Sequence, residues 1–219
     1  MMAHYLPVML DVSGQKIVVI GGGAVAERKV QSLLEAEAMV TVISPAVSAA
    51  LASLAEAGKL VWVGREYAPG DVPGAFLVYA ASSDPAVNEA VAEECRALGL
   101  PVNVASHAGA GNFITPGVLR RGRLTVAVST SGAGPSAAAA ITAQLAELLG
   151  EEYEPYLDFL HLMRTEIKRQ EASAEIRGRL LRRLGQLDVL NELRQGTFKE
   201  WTPEAVSSWI AANRAEQLE

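Results

Sequence analysis

Three consecutive glycines near the start of the chain carry the most specific chemistry in the sequence. The run from Gly21 to Ala26 fits the pattern G-x-G-x-x-A, directly after β-branched residues and directly before a helical pattern. Residues without a β-carbon permit a tight turn and let a pyrophosphate approach the backbone, while Ala26 keeps helix and strand close. Free N–H groups at the helix start attract the phosphates. The pattern predicts a dinucleotide site at Gly21 and Gly23; the alternative is an ordinary strand–turn–helix.

Two further strand ends could complete this site. The second strand is followed by Ser44, Pro45 and Ala46, where such folds usually carry an acidic residue that binds the ribose. The Ser44 hydroxyl could bond a ribose, and no arginine is present there to receive a 2′-phosphate, which favours NAD over NADP. Ser82 follows a later strand and could line the nicotinamide side. It could also cap the next helix, and both roles can hold at once.

Alternating strand and helix patterns must position these residues. β-type runs are separated by helical runs, and this order predicts a doubly wound parallel sheet of the Rossmann type in residues 1–112. A β-hairpin and a helix are expected in residues 113–150, as a dimerisation region, and a helical domain in residues 151–219. The expected strands are 16–20, 40–44, 60–63, 76–81, 101–105, 113–120 and 124–129, and the expected helices are 24–36, 47–57, 85–98, 153–169, 174–184 and 187–193, with others opening at Pro135 and Thr202.

Composition excludes several classes of protein. Half of the 219 residues are hydrophobic and the net charge is −6, which is typical of a folded domain and argues against general nucleic-acid binding. The single cysteine, Cys95, excludes an internal disulfide, and no histidine spacing predicts a metal site. No signal peptide and no apolar run of membrane-spanning length is visible, so we expect a soluble cytoplasmic protein with no membrane partner.

The motifs together resemble the precorrin-2 dehydrogenase/ferrochelatase family, which is the dehydrogenase module of sirohaem synthases. The resemblance covers residues 1 to about 170 and weakens beyond residue 185. Its matching runs are YLPV at 5–8, GGGAVAERK at 21–29, AASSD at 80–84, VN at 87–88, NV at 103–104, FITP at 113–116 and VAVSTSG at 126–132.

The resemblance implies that NAD⁺ oxidises precorrin-2 to sirohydrochlorin, and in some members Fe²⁺ is then inserted to give sirohaem. It also implies a homodimer in which the segment after the Rossmann domain is exchanged. By position it places cofactor-contacting backbone at Ala24, Val25, Pro45 and Ala46, and we add Asn103 to that site.

The substrate of such an enzyme carries several carboxylates, so its site needs local positive charge or free N–H groups. Residues 129–132 precede a helix that opens at Pro135, so their hydroxyls and N–H groups predict an anion site; the alternative is a capping loop. Basic clusters at 120–123 and 161–183 could also face the substrate or simply solvent. We therefore assign to substrate binding Asn112, Arg120, Ser129, Thr130, Ser131 and Gly132.

One departure from the family concerns the proton chemistry. Bifunctional members carry an aspartate, their candidate general base, where this chain has Ser106. A serine has no useful basicity near neutral pH, whereas the adjacent His107 could accept a proton; the alternative is an ordinary loop histidine. We predict Ser106 and His107 as the catalytic pair of a dehydrogenase. Two alternatives remain. One is a bifunctional enzyme with an active chelatase, and the other is a non-catalytic NAD(H) sensor.

Overall fold

The computed structural model describes residues 5–214, without the side chain of residue 108. The chain divides into two compact units between Thr115 and Pro116. The predicted division into segments 1–112, 113–150 and 151–219 stays a prediction, and its outer ends, residues 1–4 and 215–219, lie outside the described residues.

The first unit is a five-stranded parallel sheet with helices on both faces. The strands stand in the order β3-β2-β1-β4-β5, which is the Rossmann arrangement that the strand–helix alternation predicts. The strands are β1 (Lys16–Ile20), β2 (Met39–Ile43), β3 (Val61–Val63), β4 (Leu77–Ala80) and β5 (Val102–Val104), and the helices are α1 (Ala24–Glu35), α2 (Ala49–Glu56) and α3 (Pro85–Leu98).

Burial of β1 on both faces explains this double winding. Ile17 and Val19 lie in one hydrophobic cluster with residues of α1 and α2. Val18 and Ile20 lie in a second cluster with residues of α3. Because successive side chains of a strand point to opposite faces, a continuous apolar run such as Ile17–Ile20 needs cover on both sides.

Capping residues define where two of these helices begin. Asp84 caps α3 with its carboxylate, Pro85 occupies the first turn, and Gly99 ends the helix at a φ of 68°. The helix α2 begins at Ala49, two residues later than predicted, because the Ser48 hydroxyl accepts a hydrogen bond from the Leu51 N–H at 3.3 Å.

Over residues 116–214, the second unit combines an antiparallel hairpin with five helices. The strands β6 (Gly117–Arg121) and β7 (Leu124–Val128) pair antiparallel. The helices are α4 (Pro135–Leu148), α5 (Tyr153–Gln170), α6 (Ala174–Leu184), α7 (Val189–Gln195) and α8 (Pro203–Ala212). The helices α5, α6, α7 and α8 share one hydrophobic core, which includes Phe159, Met163 and Leu180. The helix α4 contributes no buried residue. No helix in residues 5–214 is long and apolar enough to cross a membrane.

The expected strand at 113–120 begins only at Gly117, so its first half was predicted wrongly. The chain is held to β5 at this point, because the Asn112 N–H donates to the Val102 carbonyl at 3.0 Å. The Phe113 ring packs edge-on against Tyr79 with centroids 5.3 Å apart. These contacts fix the segment before the hairpin on the first unit's own sheet, although its β-branched residues suit a strand.

Candidate functional site

Four loops leave the sheet at the carboxyl ends of neighbouring parallel strands. Ile20 at the end of β1 pairs with Ile43 of β2 and with Ala80 of β4, and Ala80 pairs with Val104 of β5. The loops that carry the predicted site residues therefore start side by side. The strand order reverses between β1 and β4, which is where open α/β sheets bind their ligands.

Two of the three glycines allow these loops to touch. A β-carbon on Gly21, which has a φ of 114°, would lie 2.8 Å from the Ser82 nitrogen after β4. One on Gly22 would lie 2.9 Å from the Val47 Cα after β2. One on Gly23 would meet no protein atom within 4 Å. Gly21 and Gly22 therefore bring the three loops together, and Gly23 faces open space where a ligand can approach.

The start of α1 fits a pyrophosphate. Gly23 caps the helix without a side-chain hydrogen bond. The first N–H groups of a helix have no acceptor within it, so those of Ala24 and Val25, both exposed, are available to phosphate oxygens. Ala26 is fully buried against the sheet, as its place in the motif requires. The residues present thus fit the diphosphate of a dinucleotide.

The residues after β2 are partly committed to the protein itself. The buried Ser44 donates its hydroxyl to the Ala46 carbonyl at 2.7 Å, and its own carbonyl accepts from the Trp62 indole at 2.9 Å. Because the hydroxyl hydrogen of Ser44 is already donated, the hydroxyl oxygen can act toward a ribose hydroxyl only as an acceptor. Pro45 and Ala46 are exposed at this strand end. The ribose role of Ser44 stays a prediction, restricted to this acceptor geometry.

After β4, a buried asparagine organises the loop. The Ser82 hydroxyl accepts from the Asp84 N–H at 3.1 Å, so it supports the cap of α3. The Ser82 backbone binds the side-chain amide of Asn88 at both its N–H and its carbonyl. Sequence reasoning noted Asn88 only within the family motif. A polar residue on the sheet-facing side of α3 was the signal that could have drawn attention to it.

After β5, the two predicted catalytic residues are both exposed. The Ser106 hydroxyl accepts from Asn88 Nδ2 at 3.3 Å. The His107 ring lies beside Gly109, where a β-carbon would be 3.4 Å from Nε2. Within residues 5–214, no three His, Cys, Asp or Glu side chains are grouped so that they could hold a metal ion.

The two other asparagines assigned to the site hold the backbone. Asn103 donates to the Phe113 carbonyl at 3.0 Å. Asn112 accepts from the Val102 N–H at 2.8 Å and donates to the Leu100 carbonyl at 3.3 Å. Both amides therefore attach the segment after β5 to the sheet, and their predicted contacts with cofactor and substrate stay predictions.

Lys29 of α1 lies over the ring of Tyr79, which itself packs against Phe113. The Lys29 ammonium is 5.6 Å from the centroid of the Tyr79 ring. Burial, and then the charge of Arg28, lower the pKa of Lys29. Burial raises the pKa of Tyr79, and a hydrogen bond with Thr115 opposes that rise. Tyr79 thus contacts both Phe113 and Thr115, and its ring offers the partly buried Lys29 ammonium a cation–π contact.

In the second unit, the predicted anion loop has an unusual backbone. Ser131 has a φ of 48° and Gly132 a φ of 99°. The Ser131 N–H donates to the Ser129 hydroxyl at 3.3 Å, and the Thr130 hydroxyl donates to the Gly134 carbonyl at 3.4 Å. The helix α4 then starts at Pro135 without a side-chain cap. The loop therefore combines hydroxyls with an uncapped helix start, while Arg120 lies exposed on β6.

Part of the basic cluster at 161–183 holds helix ends together. Arg177 donates to the carbonyls of Glu171 and Ala172, at 3.1 and 2.6 Å. Arg183 donates to the Asn213 side chain at 3.0 Å. These guanidinium groups satisfy carbonyl and amide oxygens at helix ends, which is the structural alternative to a substrate-facing role.

The reversal of strand order between β1 and β4, together with Gly21, Gly22 and Gly23 (the glycine cradle), defines a Rossmann protein with a dinucleotide site. A family model described as putative NAD(P)-binding matches residues 8–117. The chain belongs to that family, and the predicted family and cofactor class are confirmed.

Known proteins with similar sequences and structures agree with this assignment. The chain is 34% identical over 188 residues to siroheme synthase 1 of Aeromonas salmonicida, which covers 86% of this chain and 40% of that protein. It is 36% identical over 154 residues to a siroheme synthase of Neisseria meningitidis serogroup C, covering 70% of this chain and 30% of the relative. The chain thus spans well under half the length of these relatives. The solved structure of SirC, a precorrin-2 dehydrogenase, matches with a TM-score of 0.74 at 28% identity, over 95% of this chain and 98% of that one.

Proposed function

We propose that this chain is an NAD-dependent dehydrogenase that oxidises precorrin-2 to sirohydrochlorin. The observation that carries the proposal is that the carboxyl ends of β1, β4 and β5 lie side by side. There the glycine cradle, the Ser82 loop and the Ser106–His107 pair leave neighbouring strands. The similarity to SirC supports precorrin-2 as the substrate. A cytoplasmic location stays a prediction from the sequence.

The reaction removes two hydrogens from the substrate as a hydride and a proton. When bound, NAD⁺ supplies the hydride acceptor, so the protein has to align it with the substrate and receive the proton. The start of α1 at Gly23 would hold the pyrophosphate, and Ser82 would line the nicotinamide side. NAD is favoured over NADP because Ser44, Pro45 and Ala46 offer no cation for a 2′-phosphate.

His107 is the proposed proton acceptor. It is exposed, lies three residues after the end of β5 and is adjacent to Ser106, whose hydroxyl has no useful basicity. Metal insertion would require removal of two pyrrole protons from sirohydrochlorin, and the family's aspartate is replaced by Ser106. This replacement favours a dehydrogenase over a bifunctional enzyme.

Anion-binding groups in the second unit are the proposed contacts for the substrate's carboxylates. The hydroxyls and N–H groups of residues 129–132, together with the exposed Arg120, provide such groups. Asn112 has weaker support, because its amide already binds the backbone on both sides.

A homodimer is also part of the proposal. The helix α4 has no buried residue, and two of its large apolar side chains are exposed: Ile141 by 42% and Leu148 by 68%. On the hairpin that α4 contacts, Val118 is exposed as well. An apolar helix face of this kind is stabilised when a second copy covers it.

An anaerobic assay of purified protein with precorrin-2 and either NAD⁺ or NADP⁺, followed by Fe²⁺ or Co²⁺, tests the function. We expect NADH formation and no accelerated metal insertion. Tight NADH binding without turnover of the tetrapyrrole would refute the dehydrogenase and favour a dinucleotide sensor. Accelerated metal insertion would establish the bifunctional alternative.

A second assay tests the proton acceptor. His107→Ala should lower kcat more than Ser106→Ala does. Lys59→Ala, which changes an exposed residue after α2 with no assigned role, is the control and should leave kcat unchanged. If His107→Ala matched the control, the proton would be taken by another group.

A further inference from the structure

The Asn88 side chain is buried where two loops of the site meet. It lies on α3, four residues after the cap Asp84, and is only 1% exposed. Its Oδ1 accepts from the Ser82 N–H at 3.0 Å, and its Nδ2 donates to the Ser82 carbonyl at 2.9 Å. Nδ2 also donates to the Ser106 hydroxyl at 3.3 Å. One amide thus joins the loop after β4 to the loop after β5.

The backbone of Ser82 determines which way this amide faces. A backbone N–H needs an acceptor and a carbonyl needs a donor, so only one orientation of the Asn88 amide satisfies both. In that orientation one hydrogen of Nδ2 is directed to Ser82 and the other remains for Ser106. Each polar group of the buried amide then has a partner, as burial requires.

The bond to Ser106 has a directional consequence. A serine hydroxyl has two acceptor lone pairs and one hydrogen. The Asn88 atom that contacts Ser106 Oγ is the donor Nδ2, while the acceptor Oδ1 is bound to the Ser82 N–H. A hydroxyl that accepts from Nδ2 directs its own hydrogen away from Nδ2. Ser106 is exposed, so its hydrogen is presented on the open side of the loop.

We propose that Asn88 is a positioning residue that makes Ser106 a hydrogen-bond donor to the substrate. The Asn88 amide also fixes the position of Ser106 relative to the Ser82 loop. The inference rests on the proposed dehydrogenase function. Gly21 packs against the Ser82 backbone, so the same amide relates the cofactor cradle to Ser106. Ser106 thereby donates to an acceptor on the tetrapyrrole, and the proton of the reaction is left to His107.

A double-mutant cycle on kcat at saturating NAD⁺ tests this role. Asn88→Asp keeps the acceptor for the Ser82 N–H but removes both donors, so the Ser106 hydroxyl must turn inward to the new carboxylate. Ser106→Ala removes only the link to Ser106. Asn88→Asp also removes the donor to the Ser82 carbonyl, whether position 106 is serine or alanine. The effect of that loss on kcat is therefore the same in both backgrounds and cancels in the cycle.

We expect Asn88→Asp to lower kcat about tenfold when Ser106 is present, which is the order expected for one misdirected hydrogen bond. When position 106 is already alanine, the same change should lower kcat less than about threefold. Asn191→Asp, an equal change of charge on the exposed surface of α7, should leave kcat at the parental value.

Equal losses in the two backgrounds would overturn the inference and leave Asn88 a structural clamp. That result differs from failure of the proposed function, in which the parent chain itself forms no NADH from precorrin-2. Thermal unfolding and NADH titration of each variant establish that folding and cofactor binding persist. A variant that does not fold is replaced by Asn88→Ser in the same cycle, with the same expected non-additivity.

Discussion

The Ser48 hydroxyl donates a 2.6 Å hydrogen bond to the Glu27 carboxylate, which ties the cap of α2 to the first turn of α1. The Ser48 N–H also donates to the Gly22 carbonyl at 2.9 Å. The helix start that faces the cofactor is therefore braced by the loop after β2. Neither Glu27 nor Ser48 belongs to the glycine pattern that identified the site.

Loss of this brace should destabilise the first unit. Ser48→Ala removes both a helix cap and the bond to Glu27, and we expect the free energy of unfolding to fall by about 1 kcal/mol. Denaturant unfolding measures the change. Ser48→Thr keeps a hydroxyl and should recover most of the loss, whereas equal stability of the alanine variant and the parent would contradict the brace.

Alanine at two adjacent glycines should have different effects. The β-carbon of Gly22→Ala would lie 2.8 Å from Val47 Cγ1, so this variant should lose both thermal stability and NADH affinity. Gly23→Ala meets no protein atom and its φ of −84° suits alanine, so its melting temperature should stay parental. Its NADH affinity should still fall, roughly tenfold or more, because the new methyl group faces the pyrophosphate. Thermal unfolding and NADH titration measure the two effects; unchanged affinity in Gly23→Ala would place the cofactor elsewhere.

The cysteine should be inert in the folded protein. Burial, and then the charge of Glu94, raise the pKa of Cys95 to about 11, so the reactive thiolate is scarce at pH 8. A disulfide-exchange reagent should label Cys95 only after denaturation. Rapid stoichiometric labelling of the native chain would show that α3 opens or that the thiol is accessible.

The same shift predicts how stability depends on pH. The folded-state pKa of Cys95 is raised above its ordinary value of 9.0, so the unfolded thiol ionises first. Its contribution is complete below pH 9 and is lost as the pH rises towards 11. Stability should therefore fall less steeply in this window for Cys95→Ala than for the parent, as measured by denaturant unfolding. Parallel curves would contradict the shift.

Charges on α4 should separate the proposed dimer. Ile141→Lys combined with Leu148→Lys places two cations on the exposed apolar face, and sedimentation should change from a dimer to a monomer. Leu162→Lys, at a leucine of α5 that is also exposed, is the matched control and should sediment as the parent does. A parent chain that is already monomeric would refute the dimer.

Most of the sheet and the cofactor loop could be predicted because their signals are local. The apolar run Ile17–Ile20, the three glycines and the caps Asp84 and Gly99 each act on residues next to them in the chain. The beginning of β6 was predicted wrongly because Phe113 is held by Tyr79 and Asn103, which are distant in sequence. The predicted roles of Asn103 and Asn112 were likewise assigned without their backbone partners in view.

The sequence by itself determined the class of fold and the glycine run of the cofactor site, because residue types and short spacings encode these features. Only the tertiary structure decided how the cradle is braced and which polar groups are already bound. Glu27 meets Ser48, and Asn88 meets both Ser82 and Ser106, across separations of 21, 6 and 18 residues. Such contacts depend on the order in which strands pair and on which face each helix covers, and no local pattern records them.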